Sequence, residues 1–211
     1  MRFRSVTISL ATVSVSALAL AGLPLASAQT VSEFTVSNIT DFHGRWEQTL
    51  DAKDPNKSIP GAVALKCAVD EAAAGRAHAF TSSGDLIGAS PFESMILDDQ
   101  PTIDIMNLMG LDVSAVGNHE FDKGTEDLTE RIQPNSTYPI LGANVLKDGK
   151  PLLKPSHVED VDGVKVGYVG TVTENTKYKV SAAKIPGVTF TDPVKATNEE
   201  AARLKESGEA D

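Results

Sequence analysis

Three short stretches hold residue types that could do metal chemistry: Thr40-Asp41-Phe42-His43, Ser83-Gly84-Asp85 and Gly117-Asn118-His119-Glu120-Phe121-Asp122. Together they offer carboxylate and amide oxygens alongside imidazole nitrogens. That donor set suits Mn, Fe or Zn better than an all-oxygen calcium or magnesium site. A carboxylate such as Asp85 has two oxygens and can bridge two ions, while Gly84 and Gly117 permit the tight turns needed just before a ligand. Each stretch alone carries little weight, because Asp-x-His recurs by chance and Gly-Asp is commonly only a turn. All three, in order and each at the end of a strand pattern, make a candidate site.

The elements that must position them follow from periodicity. Phe34 to Ile39 alternates on a β-rich composition and reads as a strand running into Asp41. Gly61 to Gly75 is Ala-rich, with Pro60 before it and Gly75 after it. It reads as a helix with Val63, Cys67 and Ala74 near one face. Ala77 to Ser83 is a second strand, Ile103 to Met109 a helix, and Asp112 to Val116 a third strand leading into Gly117. Thr125 to Ile132 is a helix with acids in its first turn and Arg131 near its end. Tyr138 to Leu141 is a short strand. Val158–Val161 and Val164–Val169, joined by Asp162-Gly163, form the clearest hairpin signal, and Asp192 to Glu206 is a final helix. Strands alternating with helices predict a layered α/β domain. In such folds ligands collect beyond the carboxyl ends of the strands, where all three clusters lie.

The 211 residues are 41% hydrophobic and 23% charged, which excludes disordered, collagenous and coiled-coil classes. The net charge of −10 argues against a basic nucleic-acid footprint, so no nucleic acid is expected as a partner. Cys67 is the only cysteine, so no intramolecular disulfide can form; within its Ala-rich helix it reads as a buried thiol rather than a nucleophile. Residues 1–28 read as a signal peptide: Arg2 and Arg4, an apolar stretch from Val6 to about Leu25, and Ala26-Ser27-Ala28 as the cleavage site. Its removal leaves 29–211, with 17 basic and 29 acidic residues and a charge of −12. The expected location is therefore outside the cytoplasm, with no membrane attachment after cleavage.

The clusters resemble the calcineurin-like metallophosphoesterases, and more narrowly the secreted 5′-nucleotidase family with its UDP-sugar hydrolase and 2′,3′-cyclic-nucleotide phosphodiesterase relatives. Asp41-Phe-His-Gly-Arg45 and Asn118-His-Glu-Phe-Asp122 are the most specific portions, and the likeness continues through Gly142-Ala-Asn144. The resemblance implies a layered metallophosphoesterase fold holding two divalent metal ions (Mn, Zn, Co, Fe or Mg). By it, Asp41 and His43 bind the first ion, Asp85 bridges, and Asn118 binds the second. His119 acts on the phosphate or leaving oxygen rather than as a ligand, with Asp122 orienting it. Two divalent ions beside two carboxylates leave a local charge of about +2, which attracts a phosphate ester despite the acidic chain.

The family also uses a later histidine and a Gly-His-x-His-like segment, and neither stands in this sequence. The four histidines are His43, His78, His119 and His157, and none of them belongs to either of those two stretches. The resemblance therefore implies that 29–211 is the amino-terminal part of a metallophosphoesterase domain, incomplete at its carboxyl end and weak in metal binding and hydrolysis alone. His78 and His157 read as structural. Trp46 and Phe42 read as packing of the site wall, Arg45 as a phosphate contact or a loop salt bridge, and the acidic run from Glu199 to Glu209 as a solvated helix face. The substrate expected is a nucleotide or other small phosphate ester. Two other functions stay open: a secreted phosphodiesterase or nuclease, and a non-catalytic secreted binding protein on the same fold.

Overall fold

The computed structural model describes residues 34–51 and 53–211; the segment 1–28, read above as a signal peptide, lies outside the described residues. Four strands, β1 (Thr35–Ile39), β2 (His78–Ser82), β3 (Val113–Ala115) and β4 (Ile140–Leu141), form one sheet in sequence order. Every pairing in it is parallel. Parallel neighbours need crossovers, and helices supply them. These are α1 (Gly61–Ala73) between the first two strands, α2 (Phe92–Met95) and α3 (Gln100–Met109) between the next two. Ahead of β4 runs a helical stretch made of α4 (Thr125–Asp127), a wider π turn (Leu128–Ile132) and α5 (Gln133–Asn135). The core between sheet and helices includes Phe80, Ile103, Met106, Val116, Phe121 and Leu128.

Two smaller β units follow. β5 (Val145–Lys147) lies between β6 (Lys150–Pro151) and a later strand, β9 (Val188–Phe190), while β7 (Ser156–Val161) and β8 (Val164–Val169) make the expected hairpin. Its turn residues, Asp162 and Gly163, have φ of 54° and 83°, the paired left-handed conformation that matches strand twist in a two-residue turn. After β8 come the short α6 (Thr176–Lys179) and finally α7 (Pro193–Glu206). Asp192 caps α7 by accepting from the Val194 and Lys195 N–H groups through Oδ1. Leu204 on α7 is buried, and a methyl group on Gly167 would come 3.0 Å from its Cδ1, so helix and hairpin pack closely.

Three expectations need correction. The face of α1 marked by Val63, Cys67 and Ala74 is the solvent face: all three are exposed, and Ala62 and Val69 are the buried pair. With so many alanines, apolar character barely separates the two sides of this helix, and the bulkier residues won the reading. Helix α3 starts at Gln100 rather than Ile103, because Pro101 falls in the first turn, where a missing N–H costs nothing. The acidic run is not wholly solvated either: Glu200 is mostly buried and binds Arg203, which also reaches Glu209.

Candidate active site

The strand registers bring the three clusters together. With Ile39 opposite Ser82 and Ser82 opposite Ser114, β1, β2 and β3 end side by side. The first two chains then run on in parallel: Asp41 N–H donates to the Gly84 carbonyl (3.2 Å), His43 to Asp85 (3.1 Å) and Gly44 to Leu86 (3.0 Å). Asp41, His43 and Asp85 have φ of 54°, 48° and 53°. Left-handed backbone at non-glycine residues costs about 1–3 kcal/mol each and concentrates at functional sites. Gly84 and Gly117 let the second and third loops touch. A methyl group on Gly84 would come 2.6 Å from the Gly117 nitrogen, and one on Gly117 would overlap the Asp85 carboxylate.

Three of the side chains, His43, Asp85 and His119, come together. His43 Nδ1 lies 2.8 Å from the Gly88 carbonyl, which leaves Nε2 free, and Nε2 stands 3.6 Å from Asp41 Oδ1. Gly88 is itself held by its N–H to Asp99 Oδ2 (3.2 Å), and the other oxygen of this buried carboxylate accepts from Ser94 Oγ (2.8 Å). His119 Nδ1 is 2.7 Å from Asp122 Oδ2, and its own N–H donates to Asp85 Oδ1 (2.9 Å). The His43 and His119 rings meet edge to face with centroids 5.0 Å apart. His43, Asp85 and His119 each present a ligand atom within 4.8 Å of the others. Asn118 opens the short turn over His119–Phe121, and its carboxamide caps no backbone group there. Imidazole, carboxylate and a free amide oxygen are donors that a Mn-, Fe- or Zn-type ion accepts, so the residues fit a divalent metal.

One residue of the third cluster has a part that local sequence could not show. Glu120, 4% exposed, accepts backbone N–H bonds from Gly117 (2.6 Å), Leu86 (2.9 Å) and Asp85 (3.2 Å). Burial and the adjacent Asp85 charge push its carboxyl up to about 7, while the three N–H donors pull the other way. Its only sequence signal was membership of the Asn118-His-Glu-Phe-Asp122 run. Beside the site a cavity of about 200 Å³ opens, lined by His119, Asp122, Ile87, Met95, Lys123 and Arg131.

No family model matches the sequence. Among curated proteins, the chain is 31% identical over 190 residues to Endonuclease YhcR of Bacillus subtilis, covering 81% of this chain and 16% of that protein. It is 31% identical over 181 residues to a 5′-nucleotidase of Vibrio cholerae, covering 82% of this chain and 31% of the relative. The crystal structure of the calcineurin-like phosphoesterase YfkN from Bacillus subtilis superposes with a TM-score of 0.64 at 25% identity, over 82% of this chain and 58% of that one. The chain is homologous to 5′-nucleotidases and other calcineurin-like phosphoesterases. It spans between about a sixth and a third of the length of these two curated relatives.

The remaining candidates divide plainly. Phe42 and Trp46 pack partly buried against the core, as expected of a site wall. Arg45 is exposed and makes no ion pair among the described residues. Cys67 is exposed rather than buried. His78 begins β2 at the end away from the clusters, with Nε2 2.9 Å from Ser37 Oγ. His157 lies within β7 rather than before the hairpin, 3.5 Å from Glu159. Asn144 is fully buried and structural: it donates to the Val172 and Thr191 carbonyls (2.7 and 2.8 Å) and accepts from Val172 N–H (3.0 Å).

Proposed function

We propose that residues 29–211 belong to a metallophosphoesterase domain that removes phosphate from nucleotides outside the cytoplasm, as a metal-dependent 5′-nucleotidase. The observation that carries this reading is the convergence of His43, Asp85 and His119 within 4.8 Å, with Asp122 held on the far nitrogen of His119. Asp41, His43, Asp85 and Asn118 would hold two divalent ions. When bound, such ions offset charge on phosphate oxygens and supply an activated water.

The chain's own residues do the rest. Because the Gly88 carbonyl occupies His43 Nδ1, the imidazole is fixed with Nε2 directed to the ligand side. Asp122 accepts from His119 Nδ1–H, which orients the ring and leaves Nε2, protonated in the acid form, to face the leaving group. His119 Nε2 then donates a proton to the oxygen of the departing nucleoside, a contribution of about 10²–10⁴ in rate. The leader-like composition of residues 1–28, and the likeness to a protein of Listeria monocytogenes named a cell wall protein, support an extracytoplasmic location.

The test is phosphate release from nucleoside monophosphates by the full-length protein, before and after chelation. Release that chelation abolishes and Mn restores is the expected outcome; release indifferent to chelation contradicts the reading. A second reading, hydrolysis of a phosphodiester or nucleic acid, is favoured by the likeness to a protein named an endonuclease. Cleavage of a single-stranded oligonucleotide faster than any mononucleotide would select it. A metal-loaded protein inert on all these esters would leave the non-catalytic binding protein.

A further inference from the structure

The loop that carries Asp85 and the loop that carries Asn118 touch, yet no backbone–backbone hydrogen bond joins them among the described residues. The pairing of β2 with β3 ends at Ser82 and Ser114, and the next rungs from the Asp85 loop go to the first loop instead. Two carboxylates make the join. Asp85 Oδ1 takes the His119 N–H, and Glu120 takes the N–H groups of Asp85, Leu86 and Gly117. Glu120 therefore grips the backbone of one ligand residue and the residue just before another. Its side chain is buried, so water does not compete for these bonds.

We propose that Glu120 is a positioning residue of the metal centre: it sets the separation between Asp85 and Asn118, and hence the ligand geometry offered to a cation. This rests on the metal-site reading above. Only a carboxylate suits the place, because three N–H donors converge on it and an ionised carboxylate is all acceptor. A glutamine there keeps one acceptor oxygen and turns an NH₂ group toward at least one N–H. The lost bonds let the loops part, and the ligands on both sides move with them. Partners that orient metal ligands are worth about 10–100-fold in affinity.

A residue that merely braced the fold would behave differently, and thermal unfolding with and without Mn²⁺ separates the two. A ligand that binds only the native state raises Tm according to its affinity. Wild type, Glu120→Gln and Asn144→Ala are compared, the last removing a buried polar clamp in the unit that follows the parallel sheet. The expected result is a Mn²⁺-induced rise in wild type, an unchanged rise in Asn144→Ala on a lower metal-free Tm, and a reduced rise in Glu120→Gln. That reduction corresponds to at least about tenfold weaker Mn²⁺ binding. A Glu120→Gln protein that keeps the wild-type rise on a lower baseline overturns the proposal. If Glu120→Gln does not fold, Glu120→Asp, which keeps the charge and shortens the reach, is read by the same criterion. A wild type with no Mn²⁺-induced rise overturns the metal-site reading itself, and this proposal with it.

Discussion

Glu120 and Asn144 are both buried polar side chains that bind backbone from distant segments, but they answer opposite demands. Asn144 meets two carbonyls and one N–H, so a neutral amide with donors and an acceptor satisfies everything around it. Glu120 meets only N–H groups, three of them, and the residue that satisfies them is a charged acceptor. The difference traces to the strand ends. Three parallel strands that stop together turn their loops toward one point, and close approach at Gly84 and Gly117 leaves amides facing inward with no carbonyl partners. The Asn144 region has antiparallel pairs and ordinary loop exchange, and no ligand-type cluster among the described residues. A fold can thus hold two equally buried clamps, of which one shapes a site and the other only the fold.

That contrast can be broken in several ways. The largest effect belongs to His119→Ala, expected to lower turnover by about 10²–10⁴ while metal content falls far less. Steady-state rates paired with metal analysis check it, and equal loss of both would make His119 a ligand. Next is Asn144→Ala, expected to cost about 1–3 kcal/mol per buried group left unpaired, with Mn²⁺ affinity intact. Denaturant melts with and without metal would show it, and a matching loss of affinity would erase the contrast with Glu120. Smallest is Cys67→Ser: on the exposed face of α1, it should shift stability by less than about 0.5 kcal/mol and leave phosphate release unchanged.

The β7–β8 hairpin and the final helix were legible because their signals are local. Asp162-Gly163 between alternating runs, and Asp192 before Pro193, announce a turn and a cap within a few residues. The cluster of His43, Asp85 and His119 was legible for the same reason, since each sits within a few residues of its strand end. What escaped depends on separation or on weak contrast. β5 and β9 are three-residue strands that recognise each other across about forty residues, too short for a period to register. Glu120 could be seen beside His119, but its bonds to Asp85 and Leu86 span 35 and 34 residues. Alanine gave α1 no contrast between faces, so its buried side was misread.

The most direct measurement is a calorimetric titration of Mn²⁺ into metal-free full-length protein and its Asp85→Asn variant. Saturable binding in the wild type that collapses in the variant is the expected result, because Asp85 bonds to the loops of both His43 and His119 and presents a carboxylate oxygen beside both rings. No heat beyond dilution in the wild type, or binding that survives Asp85→Asn unchanged, would contradict a metal-dependent phosphoesterase centre at this end of the sheet.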